Sequence, residues 1–407
     1  MPSFKTHSKS KSKSKSIKSR KRKLRSLLKH PSRRRDNMLR IACVDGNCLD
    51  FGPYAPFVKH YFDQFRNLSL AVVNEMSPIG TPSANGFLVR IPFSKGVFTA
   101  YTALKCAQSQ TSDSLLYEFY VGRYYINQWI SVFPCFLETY DAYRFTSAAA
   151  YRELQSHGHG RSNGSLDKLI KRLNTESFLK SGSHFWTMAC GLGTMGCIMM
   201  QYFQSFYSLH AKAIELLDTD LPFCLFQMYF VLDVLKDEYT HYDLHFQNVF
   251  LYRPYSGNRY VQLVYHYKDG TDIGFPTEYL VKLIDYGRNY IPASAPIVHT
   301  VSRIADCEGF SYVPDKPNPS FDLLIAFHLR EYLMRHGFVH QIIYDGKSRP
   351  QSTYSSKNKV VSNVSDMAMA LKNNLSPFFP QMDNKYRGWT RMGTLHIYED
   401  RRPMYFT

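Results

Sequence analysis

The sequence predicts an α+β fold, with strands concentrated in its N-terminal half and helices in its C-terminal half. Three observations carry this. In "FLVRIPF" the residues Phe87, Val89, Ile91 and Phe93 alternate onto one face, the period of a half-buried strand, and apolar runs lie on either side. After Asp220, Leu221, Leu225, Met228, Leu232 and Leu235 recur at intervals of four, three, four and three, the period of a helix face. Hydrophobic residues make up 44% and aromatics 15% of the 407-residue chain, which suits a two-lobed domain or two compact ones and excludes a disordered body.

The elements follow in order. Residues 1–40 read as a disordered basic tail and residues 41–69 as a linker, with structure beginning near residue 60. "LAVVNEM" from Leu70 reads as a strand and "SPIGTPSANG" as a turn; "FLVRIPF", a turn at Ser94 to Gly96 and "VFTAYTALKC" form a hairpin. "DSLLYEFYVGRYYINQWI" places Leu116, Phe119, Tyr120, Arg123, Tyr124 and Asn127 at helical spacing, with Asp113 or Ser114 as its cap. "FPCFLETYDAYRF" is strand-like, and the Ser-, Gly- and His-rich residues 146–183 read as an insertion containing one short helix, "SLDKLIKRL". The apolar "CIMMQYF" is a strand.

The chain turns helical beyond "MMQYFQSF". The Asp220–Tyr239 helix has Asp220 at its cap and Pro222 in its first turn. "VFLY" and "YLVKLI" are strands flanking a hairpin whose tip is Lys268 to Gly270. "SFDLLIAFHLREYLMRHG" is a second long helix, capped by Ser320 and stopped at Gly337. Residues 70–203 thus form the strand-rich part, 204–340 the helical part, and 341–407 a C-terminal extension.

The net charge of +17 belongs to the tail: residues 1–35 hold 15 of the 50 Lys and Arg and no acid, leaving 35 basic against 33 acidic side chains in the rest. A Lys-Ser repeat of this density repels itself and holds too few apolar groups to offset the entropy of ordering. It reads as a nuclear-import or nucleic-acid tether, or as a solubilising extension. Lys at every second position makes a poor transit-peptide helix. The eight scattered cysteines, with no C-x-x-C pair and no secretory segment, point to a reducing, intracellular compartment, cytoplasm or nucleus. The uncharged run from Phe185 to Leu209 is long enough to span a bilayer, but its glycines, glutamines and hydroxyls mark a buried strand and a connection, so no membrane span is expected.

"THYDLHFQNVFLY" carries the chemistry. Phosphoryl transfer needs a loop over the phosphates, a cation beside them, oxygen ligands for Mg²⁺ and a carboxylate near the attacking hydroxyl. Lys105 ends a strand in "TALK", Glu118 lies on the next helix, Asp243 and Asn248 follow the long helix, and Asp285 ends the strand before "DYG". Alternatively His241, Asp243 and His245, at alternate positions, form a metal site. His157, His159 and His184 form no ligand set.

This set of motifs resembles the protein-kinase-like fold: A-x-K at Ala103 to Lys105, a helix glutamate at Glu118, H-x-D-L-x-x-x-N from His241 to Asn248, and D-Y-G at Asp285 to Gly287. His245 is similar to its position in the aminoglycoside-phosphotransferase and atypical-kinase branches, and "YEFYVG" with the long insertion after Asn248 is similar to kinase-like proteins of large DNA viruses. The resemblance spans about residues 70 to 335. It implies a bilobal fold, with a β-rich N-lobe and an α-rich C-lobe, and Mg-ATP in the cleft. Lys105 would contact the phosphates and pair with Glu118, Asp243 would accept or orient the hydroxyl, and Asn248 and Asp285 would bind Mg²⁺. His241, His245, Gly287 and Asp322 would support the site, and Gly80, Ser83 and Gly86 would form the phosphate loop.

The chain departs from that pattern in three places. Thr81 and Ser83 stand where the phosphate loop has its first two glycines, Tyr242 replaces the arginine before the aspartate, and no A-P-E-like element lies between Asp285 and Asp322. Gly191, Gly193 and Gly196 match G-x-G-x-x-G, but a strand follows them rather than a helix with a free N-terminus. The expected activity is transfer of the γ-phosphoryl of ATP to a hydroxyl, Ser or Thr of a protein. The alternatives are a small-molecule acceptor, or a catalytically silent scaffold tethered by its tail to nucleic acid or a virion component.

Overall fold

A computed structural model describes residues 55–65, 75–80, 86–107, 115–145, 196–204, 206–292, 316–336 and 363–407, plus isolated short pieces. Residues 1–38 of the basic tail, Thr81 to Ser83, most of the 146–183 insertion, Gly191, Gly193 and Gly337 lie outside the described residues, as does the expected "SLDKLIKRL" helix except Leu173, which is in a strand.

The fold is α+β. Helix α1 (Ala55–Tyr61) precedes β1 (Ser77–Ile79), β2 (Gly86–Lys95) and β3 (Phe98–Ala107). Helix α2 (Leu115–Tyr120) follows, then β4 (Thr139–Phe145) and β5 (Gly196–Gln201). These strands form an antiparallel sheet in the order β1-β2-β3-β5-β4, with the pair Leu173–Asn174 at its far edge. Alternation sets its faces. Phe87, Val89, Ile91, Phe93, Leu104 and Cys106 bury against Val58, Phe62 and Phe65 of the α1 region, whereas Ala103 joins the main core. Lys105, two residues from Ala103, therefore projects toward the main body.

Three elements differ from the sequence expectation. A helix occupies Ala55–Tyr61, inside the stretch read as linker. Ser77–Ile79, read as a turn, is the edge strand β1; of "LAVVNEM", Ala71 bridges Phe93 and residues 72–74 lie outside the described residues. Pro78 is tolerated there because an edge strand can spare an N–H. After Tyr120 the backbone widens into a π turn, Val121–Ile126, closed by Asn127 N–H to the Gly122 carbonyl. Residues 117 to 122 are all buried, including the expected Phe119 and Tyr120, and beyond them Tyr125 and Ile126 turn inward while Arg123 and Tyr124 are only half-buried. Gly122 is what permits the close approach: a Cβ there would stand 2.1 Å from Thr139 Oγ1.

The second half is built around α3 (Asp220–Val234). Every residue from Asp220 to Leu232 is buried, so it runs through the core instead of presenting one face to it. Thr219 is its N-cap, and Asp220 stands in the first turn. Strand β6 (Phe206–Ser208), β7 (Val249–Tyr252) and β10 (Leu280–Leu283) make a sheet in the order β10-β7-β6. Between β7 and β10 comes the expected hairpin, β8 (Arg259–His266) and β9 (Asp272–Thr277), turning at Gly270 with φ +83°. A 3-10 turn, Phe321–Leu323, opens helix α4 (Leu324–Arg335), with Ser320 in helical backbone angles rather than as an extended cap.

The C-terminal residues, whose structure was not legible, are α5 (Val364–Asn374), α6 (Phe379–Lys385), β11 (Thr390–Tyr398) and β12 (Tyr405–Phe406). Helix α5 begins with a capping box, Asn363 accepting from Asp366 N–H and Asp366 accepting from Asn363 N–H. Strand β11 pairs parallel with β8, completing a sheet in the order β9-β8-β11-β12. Among the described residues no helix is long and apolar enough to cross a membrane. The uncharged run contains strand β5.

Candidate functional site

Two side-chain groups lie side by side where the β1–β5 sheet faces the main core, Lys105 with Glu118 and Asp285, and Asn248 with Asp243. Lys105 Nζ, near the end of β3, donates to Glu118 Oε2 at 2.6 Å and to Asp285 Oδ1 at 3.1 Å. Glu118 is 2% exposed, which is tolerable for a carboxylate only because the ammonium neutralises it. Asp285 keeps a quarter of its side-chain surface open. Burial pushes its carboxyl pKa up, but the Lys105 charge and the Gly287 N–H more than reverse this and leave it below the usual aspartate value.

Strand register brings the other loop alongside. Val249 of β7 pairs with Leu283 of β10, so Asn248 and Ile284 stand opposite each other, joined by Ile284 N–H to the Asn248 carbonyl at 3.0 Å. Asn248 is therefore next to Asp285. Its amide nitrogen donates to the Asp243 carbonyl at 2.8 Å and approaches Asp243 Oδ2 at 3.4 Å, which turns the amide oxygen the other way. Arg288, which the sequence reading missed, places Nη1 3.6 Å from Asp243 Oδ1.

Buried polar groups hold these loops. Asp322 accepts the backbone N–H of His241 at 2.8 Å on one oxygen and of Tyr242 at 3.0 Å on the other. His241 Nε2 donates to the Ile284 carbonyl at 2.9 Å, tying the loop to the strand that ends at Asp285, and burial holds its imidazole below the ordinary value. His245 accepts Gln247 N–H and caps the turn that carries Asn248. Asn289, fully buried, donates to the His241 carbonyl at 2.6 Å, accepts Tyr239 OH at 2.7 Å, and takes Tyr117 OH on its own carbonyl at 2.6 Å. It connects the Glu118 helix, the Asp243 loop and the Asp285 turn, and no spacing pattern marked it. Tyr286 OH reaches Leu137 and Leu283.

Two residues in left-handed backbone flank this chemistry: Tyr242, φ 60°, and Asp285, φ 69°. Neither is glycine, and such conformations persist where surrounding bonds over-determine them, most often at functional sites. Gly80 also has positive φ, +63°, with open space around it, and leads toward Gly86, the start of β2.

Among the described residues no three His, Cys, Asp or Glu side chains gather as a metal site, and His241 Nε2 is directed at the Ile284 carbonyl. A Mg²⁺ ion asks for no such trio: one carboxylate, one amide oxygen, water and phosphate oxygens suffice. Asp285 and the Asn248 amide oxygen offer that pair of protein ligands.

Asp322 predicts a pH dependence. Desolvation raises its pKa from the ordinary 3.8 to about 7, against the two N–H bonds that lower it. The folded protein then binds more protons than the unfolded chain between these values, so this group's stabilising contribution is complete below pH 3.8 and is lost as pH rises through about 7. Urea unfolding of wild type and Asp322→Asn across pH 4–8 should show stability falling with pH in wild type relative to the variant. Parallel curves would contradict it.

Comparison of the chain with protein-family models and with curated proteins returns no match.

Proposed function

We propose that the protein is a Mg-ATP-dependent phosphotransferase with a bilobal, protein-kinase-like arrangement, transferring the γ-phosphoryl to a hydroxyl of a protein Ser or Thr. The observation that carries the reading is the Lys105 ammonium held between Glu118 and Asp285, with Asn248 one register position away. The sheet order β1-β2-β3-β5-β4, with the lysine on its third strand and the glutamate on the following helix, also supports it.

Each residue has a role in such a reaction. Lys105 is a fixed cation for the α- and β-phosphates, kept in place by Glu118, so no reorganisation is needed when the nucleotide arrives. Asp243 lies on a loop braced from below by Asp322 and accepts the acceptor's proton as its oxygen bonds to phosphorus and the bond to ADP breaks. Asp285 and Asn248 would hold Mg²⁺, which when bound supplies charge neutralisation to the phosphates. His241 keeps the Asp243 loop and the Asp285 strand in fixed relation.

Thermal unfolding with and without Mg-ATP is the direct test. A nucleotide at about 100 times its Kd stabilises the fold by roughly 2.7 kcal/mol. Wild type should shift upward with Mg-ATP, and Asp285→Asn should lose most of that shift. An unmoved wild-type transition at millimolar Mg-ATP would remove the reading.

A further inference from the structure

The Asp243–Arg288 pair singles out a class of acceptor. We infer that Arg288 is a specificity-determining residue that selects hydroxyl acceptors carrying an anionic group beside the hydroxyl, an acidic peptide in which Asp or Glu adjoins the Ser or Thr. This rests on the phosphotransferase reading given above.

Three observations support it. First, the position is fixed. Arg288 lies in a one-turn 3-10 segment between two anchored neighbours, Tyr286 through its hydroxyl to Leu137 and Leu283, and Asn289 through His241, Tyr239 and Tyr117. The backbone that carries Arg288 is therefore held on both sides.

Second, the side chain is partly open: it is 41% exposed, with Nη1 3.6 Å from Asp243 Oδ1, an ion pair longer than a hydrogen bond. Asp243 is itself 26% exposed. A cation this open attracts an incoming carboxylate through its charge while it still faces Asp243.

Third, the local charge requires it. Asp243, Asp285 and Glu118 crowd the site with carboxylates, and Lys105 is committed to two of them. An acidic acceptor approaching Asp243 would be repelled unless a cation stood on that side. Arg288 stands there, and the exposed Lys316 adjoins the same loop, its carbonyl accepting Tyr242 OH at 2.8 Å. A basic acceptor would meet the Arg288 cation.

The test offers the full chain, with Mg-ATP, two degenerate serine peptide sets, one flanked by Asp and Glu and one by Lys and Arg, and reads phosphate incorporation. Wild type should favour the acidic set by about tenfold or more, and the preference should shrink as salt rises. Arg288→Gln should raise KM for the acidic set more than for the basic one, collapsing the ratio, and Arg288→Glu should invert it. Incorporation with no acidic preference, or a preference that survives Arg288→Gln, overturns the assignment and leaves the phosphotransferase reading standing. If Arg288→Glu does not fold, the wild-type preference and Arg288→Gln decide alone. No incorporation into either set, with no Mg-ATP stabilisation, removes both.

Discussion

Asp243→Asn should lower the rate of phosphate incorporation by about 10² to 10⁴-fold, the usual contribution of a positioned general base, with little change in thermal stability. The two effects separate because of where the carboxylate sits. Asp243 is partly open and bears no buried structural bond: its side chain meets Arg288 at 3.6 Å and Asn248 at 3.4 Å, whereas the loop is held by Asp322 and by backbone bonds. Asparagine preserves the volume and keeps one oxygen, but it cannot take up a proton. A variant that retains more than a tenth of wild-type incorporation would place the acceptor's base elsewhere.

The second large effect is expected far from that site. Asp220, fully buried in the first turn of α3, pairs with Lys385 of α6 and accepts Tyr386 OH at 2.6 Å. Lys385 also reaches Glu278 at 2.9 Å, and Glu278 meets Arg253 at 2.7 Å. This network pins the C-terminal helix to the central one. Lys385→Met removes the cation and leaves two buried carboxylates facing each other, at a cost of about 3 to 5 kcal/mol. Equilibrium urea unfolding would show it as a lower midpoint at unchanged slope. A loss below about 1 kcal/mol would mean that Arg253 and water compensate for the missing ammonium.

The comparison of sequence with structure has a physical pattern. Phe87, Val89, Ile91 and Phe93 were legible because the period-two rule is local, and all four lie on one buried face. Lys105, Glu118 and Asp285 were singled out together in the sequence and do contact one another, as do Asp243 and Asn248, because strand register places the two groups side by side. Of the helical face read from "DSLLYEFYVGRYYINQWI", Phe119 and Tyr120 are buried, but beyond Tyr120 a π turn changes the period, so Arg123 and Tyr124 are only half-buried. Asp220 looked like a cap because an acid at a helix start usually is one; its partners Thr277, Lys385 and Tyr386 lie 57, 165 and 166 positions away. Arg288 and Asn289 follow "DYG" directly, yet nothing in their spacing announces that one meets Asp243 and the other threads three segments together.

The parallel pairing of β8 with β11 has a consequence for how the chain matures. His266 and His396, joined at 2.9 Å across that pair, are 130 positions apart. Until the later strand arrives, β8 presents a raw row of amides and carbonyls on one side, a template for any passing extended segment. Closing so long a loop adds little to the equilibrium cost, since the penalty grows only with the logarithm of length, but it delays the contact. Shortened versions of this protein that stop ahead of Thr390 would keep that edge uncovered and should be prone to self-association, so Thr390–Tyr398 belongs to the minimal folding unit.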